Sequence, residues 1–322
     1  MLRALVCDHI GPEGLEILRR AGLQVDEDPR ITMDNLVTRV RDYEILIVRG
    51  RTKVDSNIMN AGRNLKIIGR SGVGLDNIDL NAARARDIKV LNTPGAPTTS
   101  VAELTIGLIL SLLRKINYAD HEMKQGHWIK NELVGRELQG KRVGIIGLAG
   151  RIGGKVARIL TVGFEADVWG YDVIQPRGVP GLTYELARSL EELLEGSDIV
   201  SVHIPYAAQT HHLLNRERLG RMKKGAYLVN TSRGDIVDGR ALNDLLKNGH
   251  LGGAGLDVFH SEPPIDDWEK EMVTLPKGVT VVTCHVGAQT LEAQRKEGIE
   301  LAEKILADLH IEPPRSNEAA PR

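Results

Sequence analysis

Three polar residues stand just past apolar, strand-like runs. They are Arg233 in "LVNTSRGDIVD", Glu262 in "GLDVFHSEPP" and His285 in "VTCHVGAQT". Together they suit the reduction of a carbonyl or the oxidation of the matching alcohol. A carbonyl that accepts hydride needs its oxygen polarised, and a guanidinium does this while gripping a neighbouring carboxylate through forked hydrogen bonds. The oxygen also needs a proton as hydride arrives, which a histidine supplies near neutral pH. A carboxylate on the other ring nitrogen fixes the tautomer and favours the imidazolium. Singly, each residue is commonplace: a strand-end Arg is usually a solvated charge, the Gly after it a turn, and a loop Glu an exposed acid. Their joint placement after three consecutive strands of one βα series carries the reading, because ligands of open parallel sheets bind outside the carboxyl ends of the strands.

A glycine cluster opens that series. "VGIIGLAGRIGGKVA" places Gly144, Gly147, Gly150 and Gly153 between an apolar strand and a helix. Glycines at such a turn let the backbone approach a pyrophosphate, which then sits at the helix N-terminus. Asp172 closes the next strand, "ADVWGYD", about 20 residues on, where a carboxylate accepts hydrogen bonds from an adenosine ribose and repels a 2′-phosphate. The expected cofactor is therefore NAD rather than NADP. The run Gly147-Leu148-Ala149-Gly150-Arg151-Ile152-Gly153 has one residue more between its first two glycines than the G-x-G-x-x-G pattern, so Ala149 is expected either to bulge or to alter the phosphate loop.

The elements that must position these residues alternate short Val/Ile/Leu runs with amphipathic stretches, the pattern of parallel sheets covered by helices. The first series reads "LRALVCD", "LQVDED", "EILIVRG", "LKIIGRSG" and "IKVLNTP", with helical stretches such as Pro12 to Ala21 and Asp79 to Arg86. "NTPGAPTTS" then breaks the pattern as a crossover between domains. One long helix is expected from Thr98 to about Gly126, followed by a second series from "KRVGIIG". A helix from about Thr290 to Leu309 needs a surface for its apolar stripe and is assigned back to the first series. "IEPPRSNEAAPR" reads as a frayed tail. The expected domains are 1–97 plus 288–322 for substrate and 98–287 for cofactor.

Composition bounds the function. The chain has 322 residues, 42% hydrophobic and 26% charged, with a net charge of −1. No global field draws it to nucleic acid or an anionic membrane, and no apolar run approaches the ~20 residues of a membrane helix. Cys7 and Cys284 are the two cysteines, both in strand-like runs. That fits a reducing, cytoplasmic setting without disulfides. "MLRALVCDHIG" reads as a strand and not a leader. Histidines 121, 127, 211 and 212 lack metal-ligand spacing, so no metal is expected. His203 in "VHIP" is read as structural.

Six motifs in order, "SGVGLDNIDL", "NTPGAPTTSVAELTIGLIL", "GRELQGKRVGIIGL", "VNTSRGDIVD", "GLDVFHSEPP" and "HVGAQT", make the chain resemble the D-2-hydroxyacid dehydrogenases that use NAD. The resemblance covers nearly the whole sequence. It implies an α/β fold of two doubly wound parallel-sheet domains, a flavodoxin-like substrate domain and a Rossmann NAD-binding domain, with a cleft between them. It implies Arg233 as the substrate-binding catalytic arginine, His285 as the acid/base and Glu262 as its partner. Asp172 would hold the ribose and Asp257 the nicotinamide amide. Gly147, Gly150, Arg151, Ile152 and Gly153 would line the pyrophosphate. Ile204, Pro205, Thr231, Ser232, Gly287 and Ala288 would flank the cofactor. Val73 and Gly74 would offer backbone N–H groups to the substrate carboxylate. Cys284 departs from the family, which usually has proline there.

Within the family, "LIVRGRTKV" and "IGRSGVGLDN" are most similar to the phosphoglycerate-oxidising members that open serine synthesis, with glyoxylate or hydroxypyruvate reduction as the alternative. Arg49, Arg51 and Arg70, at the ends of two strands, are expected to converge on a substrate phosphate, and Lys130 could add a charge across a dimer. A regulatory C-terminal extension, and with it feedback by serine, is not expected. A homodimer is expected on the long helix and the arm "HWIKNELVGRELQG", with Trp128 as an anchor. A reading of another class is an NAD-sensing, corepressor-like binding protein. The full Arg–Glu–His set speaks against it.

Overall fold

The computed structural model describes residues 1–174 and 184–314. Of the expected frayed tail, residues 315–322 lie outside the described residues. The chain divides into two compact units, one of Met1–Pro97 together with the segment from Ala288 onward, the other of Thr98–Gly287.

The first unit is built on β1 (Arg3–Val6), β2 (Gln24–Glu27), β3 (Ile45–Val48), β4 (Ile67–Arg70) and β5 (Lys89–Asn92). They form a wholly parallel sheet in the order β2-β1-β3-β4-β5, the flavodoxin-like winding. Helices α1 (Pro12–Arg20), α2 (Met33–Arg39), α3 (Ser56–Ala61) and α4 (Leu80–Ala85) connect the strands. The continuous apolar run "ILIV" of β3 is what a strand covered on both faces requires. Leu46 and Val48 pack with Ile58 and Met59 on one face, while Ile45 and Ile47 pack with Leu15 and Leu18 on the other.

The second unit holds β6 (Arg142–Ile146), β7 (Asp167–Tyr171), β8 (Glu185–Leu186), β9 (Ile199–Val202), β10 (Tyr227–Asn230), β11 (Gly253–Leu256) and β12 (Thr280–Val282). Their order is β12-β11-β10-β9-β6-β7-β8, again all parallel. Winding runs from β6 to β7 on one side and resumes with β9 on the other. The carboxyl end of β6 is therefore the topological switch point, where such sheets take a dinucleotide. Helices α5 (Thr98–Arg114), α6 (Ile116–Lys124), α7 (Arg151–Phe164), α8 (Leu190–Gly196), α9 (Arg216–Arg221), α10 (Gly239–Lys247) and α11 (Asp267–Val273) belong to this unit. The last helix, α12 (Leu291–Asp308), rejoins the first unit, where Leu301, Ala302, Ile305 and Leu306 complete the core beside α1.

The long helix expected from Thr98 to Gly126 is two helices. Lys115 takes φ +52° between them. The Arg136 N–H takes the Leu113 carbonyl at 2.9 Å, the acceptor that a further turn of α5 would have used, so the ladder stops there. No helix among the described residues is long and apolar enough to cross a membrane.

Candidate active site

Arg233, Glu262 and His285 follow β10, β11 and β12, three neighbouring parallel strands, and so stand at one edge of one sheet. His285 Nδ1 lies 2.7 Å from Glu262 Oε2. Glu262 Oε1 accepts the Phe259 N–H at 3.3 Å. Burial pushes the Glu262 carboxyl up, but the hydrogen bond and charge of His285, the Phe259 N–H and the Arg233 charge outweigh it and hold the group below the ordinary carboxylate range. Glu262 is therefore an anion at neutral pH, and the ring nitrogen left for substrate is His285 Nε2.

Local chemistry explains each placement. Asn230 ends β10, its Nδ2 donating to the Arg233 carbonyl at 2.8 Å and its Oδ1 accepting the Ser232 N–H at 3.0 Å. This is an Asx-type turn that swings the chain out of the sheet. Gly234 follows Arg233 because the next loop lies flush against it: a Cβ there would stand 2.1 Å from the Phe259 carbonyl carbon. Asp257, 1% exposed, organises the turn that carries His285. Its Oδ1 accepts Thr283 Oγ1 at 2.6 Å and the Val286 N–H at 2.8 Å, and its Oδ2 accepts the Gly287 N–H at 2.9 Å. Asp257 and Gly287, both expected at the cofactor, thus also hold the turn that carries the histidine.

The residues after β6 fit a dinucleotide. Helix α7 starts at Gly150 with no side chain capping it, leaving first-turn N–H groups of Arg151, Ile152 and Gly153 available to an anion. A Cβ on Gly153 would meet the Gly147 carbonyl oxygen at 2.2 Å, and one on Gly147, at φ +94°, the His203 carbonyl oxygen at 2.5 Å. The turn is therefore as tight as the chain permits. The extra residue Ala149 is exposed and donates its N–H to Asp172 Oδ2 at 2.9 Å, while Ile174 N–H reaches Asp172 Oδ1 at 3.0 Å. The added residue bulges outward and ties the turn to the end of β7. Thr231 bonds Thr105 through their hydroxyls at 3.1 Å, and Ser232 Oγ donates to the Val202 carbonyl at 2.7 Å. Ile204 and Pro205 follow β9 at the same edge. No group of His, Cys, Asp and Glu among the described residues could hold a metal ion.

The first unit corrects one expectation: Arg49, Arg51 and Arg70 do not converge. Arg51 Nε pairs with Asp8 Oδ1 at 3.0 Å, and its terminal nitrogens donate to the Ile31 and Cys7 carbonyls. Arg49 donates to Gln289 Oε1 and to the Ala288 carbonyl, both at 3.1 Å. The shared face assumed for residues two apart requires a continuing strand, but β3 ends at Val48. Buried Asp8 then rewinds the loop, accepting from the Arg49 and Thr52 N–H groups and from Thr52 Oγ1. Arg49 and Arg70 do end neighbouring strands, Val48 pairing with Arg70 in register. Arg70 Nη1 donates to the Ser71 carbonyl at 3.2 Å. Val73 is 40% exposed, and the loop before it is pinned by Thr93 Oγ1, which accepts the Gly72 N–H at 2.7 Å.

Sequence reasoning missed Asp8 and also Glu297, which pairs with Arg49 at 3.3 Å. Glu297 interrupts the apolar helical stripe Ala293, Leu301, Ile305, and that interruption was the available signal. It also missed Asp235, whose carboxylate lies 2.5 Å from His260 Nδ1 between the loops of Arg233 and Glu262.

Residues 106–287 match the D-isomer specific 2-hydroxyacid dehydrogenase, NAD binding domain. The chain is 42% identical over 310 residues to a hydroxypyruvate reductase of Thermotoga maritima, covering 96% of this chain and 99% of that one. It is 39% identical to a D-3-phosphoglycerate dehydrogenase of Archaeoglobus fulgidus, covering 95% of this chain but 57% of that protein, so it spans little more than half of that relative. Among solved structures, D-lactate dehydrogenase from Aquifex aeolicus complexed with NAD and lactic acid matches with a TM-score of 0.83 and 28% identity, over 96% and 95% of the two chains. The chain belongs to the D-isomer specific 2-hydroxyacid dehydrogenase family and is an NAD-dependent dehydrogenase.

Proposed function

We propose that the protein interconverts D-3-phosphoglycerate and 3-phosphohydroxypyruvate, the oxidation that opens the phosphorylated route to serine. The observation that carries the chemistry is the 2.7 Å contact of His285 with Glu262 beside Arg233. Arg233 grips the substrate carboxylate and polarises the reacting carbonyl. His285 moves the proton through Nε2, with Glu262 fixing its tautomer from the other side. Bound NAD, on the Gly147–Gly153 turn with Asp172 at its ribose, supplies the hydride chemistry. Val73 and Gly74 offer N–H groups to the carboxylate, and Arg49 and Arg70 receive the phosphate. The unit that begins at Met1 is then the substrate domain, and Thr98–Gly287 the cofactor domain.

The substrate assignment is supported by the two arginines at neighbouring strand ends and by the relatives named for phosphoglycerate. A second reading, reduction of hydroxypyruvate or glyoxylate, is favoured by the diversion of Arg51 to Asp8 and by the Thermotoga relative. A substrate panel at fixed NAD decides: kcat/KM for D-3-phosphoglycerate at least tenfold above D-glycerate supports the first reading, and equal values support the second. Turnover of NADH by any 2-keto acid also separates an enzyme from an NAD-sensing binding protein. A cytoplasmic homodimer completes the proposal. Ile116, Met123, Trp128 and Val134 all expose large apolar side chains along α6 and the arm after it, and Trp128→Ser should yield monomers by light scattering.

A further inference from the structure

We propose that Glu297 is a specificity-determining residue that sets the charge of the site formed by Arg49 and Arg70, and so lowers its affinity for a phosphorylated substrate. The inference rests on the reading that these two arginines meet the non-reacting end of the substrate. Glu297 reaches Arg49 from α12 with its side chain 1% exposed, against 14% for Arg49, and feels the charge of Arg70 as well. Its Oε2 stands 3.3 Å from the Arg49 guanidinium and 3.3 Å from Ser71 Oγ. Its Oε1 is buried with no hydrogen-bond partner among the described residues. Burial pushes this carboxyl up, and the charges of Arg49 and Arg70 with the Ser71 hydroxyl only partly offset it.

Two guanidinium groups and one buried carboxylate, ion-paired with Arg49, occupy one small region at the ends of β3 and β4. A carboxylate this dry keeps its charge only through its counter-ions, so part of the field of Arg49 is already spent on Glu297. An incoming phosphate must compete for the same guanidinium and faces a like charge across it. A substrate whose far end is a hydroxyl meets neither penalty. If Glu297 merely held Arg49 in position, its charge would help phosphate binding by orienting the fork. The two roles predict opposite signs when the charge is removed and the shape kept.

Glu297→Gln tests this, with Glu297→Met as a second uncharged side chain of similar length in case the amide disturbs folding. KM and kcat are measured for D-3-phosphoglycerate and D-glycerate, and Kd for both by calorimetry with NADH bound. The expected result is a rise of about tenfold in the ratio of the two kcat/KM values in favour of the phosphorylated acid, carried by its KM. The Kd values should move alike. An unchanged ratio, or one that moves toward D-glycerate, overturns the proposal and leaves Glu297 a positioning residue. Arg70→Ala separates the underlying reading: if it leaves both substrates' KM unaltered, the phosphate is not bound there, whatever Glu297 does.

Discussion

The Glu262 carboxylate is bonded to Nδ1 of His285 at 2.7 Å and held in its anionic form by that contact, by Phe259 and by Arg233. A group held below its ordinary range remains an anion on the acid side, where most glutamates have already taken up a proton. Glu262→Gln should therefore shift the pH optimum of keto-acid reduction downward, because the imidazolium loses the anion that stabilises it and more acid is needed to form it. His285→Ala should lose about 10²–10⁴ in turnover at every pH while NADH still binds by fluorescence titration. An unaltered pH profile in Glu262→Gln would sink the pairing.

Asp172 accepts N–H groups from Ala149 and Ile174 and would meet the 2′-phosphate of NADP with like charge. Asp172→Ala should narrow the NAD-over-NADP preference in kcat/KM, mostly by raising KM for NAD. If the unaltered protein already uses both cofactors equally, Asp172 does not read the ribose.

How far the sequence spoke for itself depended on whether the signal was local. Strand type, the glycine turn and the polar residue past each strand are read along the chain, because parallel strands deliver their carboxyl ends to one edge whatever the loops do. The break at Lys115 was hidden because its cause, the Arg136 N–H on the Leu113 carbonyl, comes from over 20 positions away. Arg51 was misread for the same reason: Asp8, in the loop after β1, decides where its guanidinium goes. Asp257 showed only that something polar ends β11. That it builds the histidine turn depends on Thr283, Val286 and Gly287 folding back onto it.

His203 makes a pH prediction about stability. Its Nε2 bonds Ser201 Oγ at 2.8 Å, its Nδ1 is buried without a partner among the described residues, and burial pushes its pKa down to about 3. A depressed folded-state value means that the contribution to stability is complete above the unfolded value of about 6.5 and is lost as pH falls toward 3. Between pH 7 and pH 5 this should remove about 2 kcal/mol of unfolding free energy. His203→Gln, which cannot take up the proton, should lose that much less over the same interval in denaturant titrations. Parallel losses in the two proteins would show that the ring is reached by water.

The arginines of the first unit should separate by what already holds them. Arg70→Ala is expected to cost about 1.5–3 kcal/mol with D-3-phosphoglycerate, the range for a hydrogen bond to a charged group, and little with D-glycerate. The loss should appear in KM, because a contact remote from the reacting carbon is made before the transition state. Arg51→Ala should leave the ratio of the two substrates unchanged and lower the melting temperature instead, since its guanidinium serves Asp8 and the carbonyls of Ile31 and Cys7. Arg49→Ala should do both. On the proposed reading it would remove a phosphate ligand; it also strips a counter-ion from Glu297, and leaving one partner of a buried pair uncompensated costs about 3–5 kcal/mol. Kinetics with both acids, read beside thermal melts of the three variants, check the ordering. A change in substrate ratio for Arg51→Ala as large as that for Arg70→Ala would restore the convergent three-arginine site that the hydrogen bonds of Arg51 argue against.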